Sequence, residues 1–368
     1  MQTVIPVGDP KAIRHYSTAL AAETLLAMYW QKKFTGKGAN NIIEQKDELE
    51  KDQGERIQFD LSVQLRQKPV RGDQTAKGKS ENLRYYTDEV IIDQVRAPVS
   101  LGGRMSRKRT IHDQRMVAKS RQTEYWAAYM DQIHFMYLSG GPGINEDFIE
   151  YDEVTPFAGH GGNAFEAPDA DHIIYGGSAT AKANLTSSDK MTRTVIEKFS
   201  NKAKMMRARN PQLANLVPVV VEGAERYVVV MTPDQCYDMR TDTGATGWLE
   251  IQKAAAASEG SKNKIFKGGL GMINDVVLHE HHHVIRYNDY GVGTNVDAAR
   301  AIALGRQAGV IAYGTPAGKR FQWEEEKDDF NNSVDICSGV IFGFKKSRFN
   351  GKDFGVVAID TAATDPNG

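Results

Sequence analysis

From Arg56 to Leu65 every second residue is apolar: Ile57, Phe59, Leu61, Val63 and Leu65 alternate with Arg56, Gln58, Asp60, Ser62 and Gln64. A period of two puts all five apolar side chains on one face, the pattern of a half-buried strand. A second strand-like run passes through Tyr85, Tyr86, Val90, Ile91 and Ile92 to Val95. Between them, residues 66 to 82 are polar and rich in Gly, Lys and Arg. Two such strands with a polar tip make an arm that one domain can hardly bury, and an isolated hairpin is at best marginally stable in water. The arm must therefore lie on its own domain or on a partner. Lys68, Arg71, Lys77 and Lys79 put positive charge on the polar tip.

The remaining pattern mixes helices and strands. Asp9-Pro10 is a helix start, with Asp9 as N-cap and Pro10 where its missing N–H costs nothing. Ile13, Tyr16, Leu20, Thr24 and Ala27 carry the helical period onward, which predicts a helix to about Lys33 before Gly36, Gly38 and Asn40-Asn41 end it. Residues 106 to 138 contain no Gly or Pro, and Trp126, Tyr129, Met130, Ile133 and Tyr137 share one helical face. Unbroken, that helix would be about 48 Å long. Arg104, Arg107, Lys108 and Arg109 at its start oppose the helix dipole, so this end is expected either to meet an acidic surface or to lie in solvent. Gly140 and Gly141 stop it, and residues 144 to 186 are turn-rich.

Further along, a helix is expected over Asp189 to Arg209, ended by Asn210-Pro211. Strands follow at Val217 to Val221 and Tyr227 to Met231, with Glu222-Gly223-Ala224-Glu225 as the turn between them. Thr232-Pro233-Asp234 opens a short helix, Asp297 to Gln307 reads as another, and Gly309 to Tyr313, Asp335 to Phe344 and Phe354 to Thr361 read as strands. No regular βα alternation appears, which favours an α+β class over a doubly wound sheet.

Charge narrows the function. The 46 basic and 47 acidic side chains leave a formal charge of -1, without the basic excess that phosphate pairing requires, so sequence-specific nucleic-acid binding is not expected. Cys236 and Cys337 stand far apart with no partner motif and read as free thiols. Met1 to Pro10 lacks a signal pattern and no apolar run reaches the ~18 residues of a membrane span. The reading is a soluble protein made in the cytosol.

The sharpest catalytic candidate is His279-Glu280-His281-His282-His283, which satisfies the HExxH spacing of zinc peptidases, with Asp297 following in Gly293-Thr294-Asn295-Val296-Asp297 as a possible third ligand. That motif must be helical. Val276-Val277-Leu278 before it and Val284-Ile285 after it are strand-like, and on a strand Glu280 would point away from His279, His281 and His283. Other motifs fail on their own residues. Gly291-Val292-Gly293 lacks the third glycine of a dinucleotide loop, and Gly314 to Arg320 is one residue short of a phosphate loop and holds Arg320 where Ser or Thr belongs. Gly177-Ser178-Ala179 has no second glycine for a nucleophile elbow. The acidic run Glu324 to Asp329 lacks the alternate spacing of a calcium loop. No cofactor is implied.

The order of elements, a helical arm, a long hairpin, a long helix and then a mixed domain, resembles the tailed-phage capsid fold, the Hong Kong ninety-seven or Johnson fold. More closely, Gly54 to Leu65, Thr87 to Arg96, Ala299 to Val310 and Asp335 to Thr361 resemble the major capsid proteins of N-four-like podoviruses and their relatives. The resemblance implies an N-terminal arm at 1–53 and an extended loop at 54–96. A peripheral domain at 97–187 would contain a spine helix at 106–138, an axial domain would occupy 188–315, and 316–368 would return to the periphery. It implies a subunit that self-assembles as pentamers and hexamers into an icosahedral head shell around double-stranded DNA. Portal, scaffold or decoration proteins would be partners, no membrane would be involved, and the product would reside in the virion capsid after assembly in the host cytoplasm. Under it, Arg104, Arg107 and Lys108 join the four tip cations as contact candidates. The alternatives are a zinc metallopeptidase built on His279, Glu280 and His283, and a non-viral nanocompartment shell of the same fold.

Overall fold

A computed structural model describes residues 10–50, 54–62, 65, 67–209, 215–221, 223–242 and 269–366. In chain order, α1 (Pro10–Ala27) and α2 (Tyr29–Lys33) lead into β1 (Thr35–Gly36) and β2 (Ile43–Lys46). The hairpin is β3 (Arg56–Ser62) and β4 (Tyr85–Ile91), and β5 (Asp93–Gly103) runs into α3 (Arg104–Arg109) and α4 (Gln114–Ser139). Then come β6 (Ile173–Tyr175), α5 (Arg193–Arg209), β7 (Val219–Val221), β8 (Ala224–Met231) and α6 (Pro233–Thr241). Strands β9 (Gly269–Ile273), β10 (Val276–Glu280), β11 (Arg286–Tyr290), β12 (Val296–Leu304) and β13 (Gly309–Tyr313) precede a second long hairpin, β14 (Phe321–Asp328) and β15 (Ser333–Lys346). The short pair β16 (Arg348–Phe349) and β17 (Lys352–Asp353) and the strand β18 (Val356–Ala362) follow.

Two sheets share one helix. One sheet runs β1-β2-β13-β15-β14 with β5 on β15; the other runs β6-β18-β12-β8-β10-β9 with β11 on β12 and β7 on β8. Side chains on β8 and β12 alternate between two cores as the pleat requires. Val228, Val230, Ile302 and Leu304 face α4, and Tyr227, Val229, Met231, Ala301 and Ala303 face the opposite core with Phe199 of α5 and Met239 of α6. From β15, Val334, Ile336, Val340, Phe342 and Phe344 pack on the α4 side.

The α4 helix is buried all round from Tyr129 to Ser139, not on one face alone. The N-terminal helices supply the missing cover: Leu20, Ala21, Met28 and Trp30 belong to the same core. Several of the polar residues enclosed there are paired, Asp131 and Gln132 among them. Asp131 accepts from the backbone N–H groups of Tyr29 (2.8 Å) and Trp30 (3.2 Å), and burial pushes its carboxyl up to about 7. Those two amides open α2, so Asp131 caps a neighbouring helix from a distance. The long N-terminal helix expected to Lys33 is therefore two helices, broken at the extended residue Met28; the cap residue Asp9 lies outside the described residues.

Several other expectations are corrected. The helix expected over 106–138 is interrupted at Thr110–Asp113, and Asp113 caps α4 by accepting from Arg115 and Met116. The spine is thus 26 residues, about 39 Å. The basic residues Arg107, Lys108 and Arg109 fall in the last turn of α3, where the dipole favours them, so of the four residues the expected mismatch holds only for Arg104, the first of that helix. The helix expected over Asp297 to Gln307 is the strand β12. Its residues 298–304 are all buried, and a continuous apolar run buried on both faces has no period to separate strand from helix. The second hairpin strand does not run on to Val95: β4 ends at Ile91, and β5 pairs with β15 instead. The first strand, read to Leu65, is β3 to Ser62; Val63 and Gln64 lie outside the described residues. So do Glu222, of the turn between β7 and β8, and Asn210-Pro211 after α5.

Candidate assembly surfaces

The first hairpin is packed along one face of its paired strands, where Phe59, Leu61 and Tyr86 lie against Phe349 and Phe354. Ile57 and Val90 are buried with Val310 and Ala312 of β13, and Phe59 meets Phe349 edge-on at 6.0 Å. Asn163 brackets the last residue of β4, donating to Ile91 O (2.7 Å) and accepting from Ile91 N–H (3.0 Å). Asp88 accepts from Lys345 Nζ (2.6 Å) and from the Arg348 backbone N–H (3.0 Å). Gly343 sits where β15 passes under Ile91 O, and a Cβ there would collide with that carbonyl.

Beyond the root the pair β3–β4 forms its own two-stranded sheet. Residues 71–80 are all exposed, as is Lys68, so Lys68, Arg71, Lys77 and Lys79 all point to solvent. Tip hydrogen bonds join Gln67 to Glu81 (2.7 Å) and Lys79 to Gln74 (3.4 Å), both within the tip. The structure thus packs the paired strands of the arm and, among the described residues, leaves 71–80 exposed.

The second surface lies where α3 meets the turn after β14. Arg107 donates to Gly102 O (2.9 Å) and Asn332 O (3.1 Å), so its guanidinium pins α3 to that turn. Arg104 and Lys108 are exposed. Arg115 pairs with Glu325 of β14 at 2.8 Å, while Glu324, Glu326 and Asp328 face solvent. Exposed apolar side chains stand among these charges: Met105, Ile111, Met116 and, on the turn itself, Phe330. Exposed apolar side chains that form one patch mark interaction sites, whereas single ones need no explanation.

The histidine run is not a peptidase centre. His279 and Glu280 end β10, and His282 and His283 form a turn. The rings of His279, His281 and His283 line one side, against Phe34, Tyr29 and Phe135 respectively. Glu280 points the other way, toward Arg240 (3.8 Å) and Cys236. Burial lowers His281 to about 3 and His283 to about 4, which keeps both neutral. Asp297 is exposed on β12 and does not converge with His279 and His283; among the described residues the converging group is Asp147, His282 and His283. Glu280→Gln is therefore expected to leave folding and assembly unchanged, which sedimentation of the purified protein checks; lost assembly would assign Glu280 a role that its surroundings do not show.

Sequence reasoning missed two anchors. Asp88 and Asn163 hold the arm, yet each acts on a strand reached only through the fold. Arg300 and Asp360 form a buried pair, Nε to Oδ1 2.7 Å and Nη2 to Oδ2 2.8 Å, with Tyr290 donating to Asp360 (2.7 Å). Arg300 also donates to Ser139 O at the end of α4 (2.9 Å), placing positive charge at the negative end of the spine helix.

Comparison with known proteins agrees with this architecture. Residues 4–365 match the family model described as phage capsid protein. The chain is 27% identical over 357 residues to the major capsid protein of Pseudomonas phage KPP25, covering 90% of each. Its structure matches the capsid of Ralstonia phage GP4 with a TM-score of 0.87 and 53% identity over all of both chains. The capsid of cyanophage Pam1 shares the fold, with a TM-score of 0.68 and 21% identity over 90% of this chain and 91% of that one. Neither the zinc peptidase nor the nanocompartment alternative finds support. The chain belongs to the phage capsid protein family and is a major capsid protein, a subunit of a tailed-phage head shell.

Proposed function

We propose that this subunit closes into pentamers and hexamers of an icosahedral head around double-stranded DNA, with the hairpin tip of each copy lying over a neighbour. The observation that carries the reading is an arm anchored at its root by Asp88, Asn163 and Ile57 while residues 71–80 remain exposed. Head-to-tail contacts that close a ring are heterologous, so a projecting arm on one side meets a receiving surface on the other. Lys68, Arg71, Lys77 and Lys79 supply charge for that contact, and Arg104, Lys108 and the exposed Phe330 supply a second one at the opposite reach of the β14–β15 hairpin. Many weak contacts repeated around each ring sum to a stable shell. In this reading the axial division at 188–315 centres on the sheet of β8 and β12 and the peripheral one at 97–187 on the sheet of β15, with β13 belonging to the latter sheet and β6 and β18 to the former. The chain acts by assembly, not by catalysis, and encloses DNA loaded by a separate motor, with portal, scaffold or decoration proteins as partners.

Replacing Lys68 to Asn82 with an Asn-Gly turn tests the arm, because the paired strands that set the register remain. Circular dichroism should stay native while sedimentation shows large particles lost. Normal particles would show the tip to be dispensable, and an unfolded chain would place the tip in the subunit's own core.

A further inference from the structure

Two loops that close the end of α4 are tied together by one side chain. Asn145 donates to Val284 O (3.1 Å) and accepts from the Arg286 N–H (2.9 Å), which holds residues 145–147 against the turn after β10. Gln132 fixes the same loop from the spine helix, donating to Asp147 O (3.3 Å) and accepting from the Ile149 N–H (2.8 Å). This brings Asp147 beside His282 and His283, with one ligand atom of each within 4.8 Å of the others. We propose that Asp147, His282 and His283 form a structural site for a divalent ion of the zinc class, stapling the loop after the spine helix to the turn after β10.

His283 is the second observation. The residue is only 8% exposed, its Nδ1 is buried with no hydrogen-bond partner among the described residues, and its nearest charged neighbour is Asp147 Oδ2, 3.7 Å from Nε2. That distance is too long for a hydrogen bond, so Nε2, the ring nitrogen that faces Asp147, makes none to the described residues and is open to a ligand, while Nδ1 stays buried and unpaired. Imidazole and carboxylate donors suit zinc better than calcium or magnesium, which take oxygen shells. Bonds of ~2.0–2.2 Å set tetrahedral ligands roughly 3.4 Å apart, so the exposed side chains Asp147 and His282 would close by about an ångström. Arg286 opposes this, since its guanidinium lies 3.5 Å from Asp147 Oδ1, and cation binding must draw Asp147 away from it. The site is not a catalytic one, because Glu280 faces Arg240 across the strand.

The test is calorimetric titration of zinc into the full-length chain after EDTA treatment. One ion per chain should bind and raise the unfolding midpoint, as a ligand of the folded state does. Asp147→Asn and His282→Ala change exposed residues, should keep native circular dichroism, and should each weaken binding by at least about tenfold. Arg286→Ala should tighten it, and Glu280→Gln should leave it unchanged. Absence of stoichiometric binding, or binding that either Asp147→Asn or His282→Ala leaves intact, overturns the site.

Discussion

Asp360→Ala is expected to destabilise the unassembled subunit by about 3–5 kcal/mol, the range for breaking a buried ion pair from one side. Asp360 is 1% exposed and its two oxygens accept from Arg300 Nε and Nη2 and from the Tyr290 hydroxyl. Removing it leaves a guanidinium in the interior with Ser139 O and the Tyr290 hydroxyl as its remaining hydrogen-bond partners among the described residues. The loss should exceed that of the double replacement Arg300→Met with Asp360→Leu, which takes both charges out together. Urea unfolding of the three proteins gives the comparison. A double variant less stable than Asp360→Ala would show that the pair contributes through specific geometry and not mainly by mutual neutralisation.

Trp126→Ala should cost about as much, ~3–5 kcal/mol, by the usual effect of truncating a large core aromatic. The residue is fully buried where α4 crosses β15, its Nε1 donates to Ser338 Oγ at 2.7 Å, and its ring contacts Phe321 and Tyr129 with centroids 5.6 and 5.8 Å apart. Ser338 in turn donates to Gln122, so the substitution also loosens a buried polar chain. An unchanged thermal midpoint would mean that the region repacks around the void, contrary to the packing seen here.

These two residues show what the sequence made legible and what it did not. Trp126 stood on a visible apolar face in a stretch without Gly or Pro, so its burial followed from the helical period. The period of two likewise exposed the arm, and strand-like neighbours placed His279 and Glu280 on a strand. Arg300 was hidden inside an alanine-rich run that reads as helix: seven buried residues in the middle of a sheet outweigh alanine's modest preference, and no polar alternation betrays the strand. Asp131 and Asp147 were silent for another reason. Each acts on groups about 100 residues or more away in the chain, Tyr29 and Trp30 for one and His283 for the other. The break at Thr110–Asp113 did carry a signal, an Asp placed to cap the following helix. It was masked by helix-compatible residues on both sides.

If the hairpin is an arm for a neighbouring copy, its contact must be visible in assembled particles. Cryo-electron microscopy of particles formed by the full-length chain tests it most directly. Closed shells in which residues 67–82 of each subunit lie against an adjacent subunit, with Lys68, Arg71, Lys77 and Lys79 at or near the contact, are the predicted result. Shells in which those residues fold back on their own subunit or project freely into solvent would contradict it.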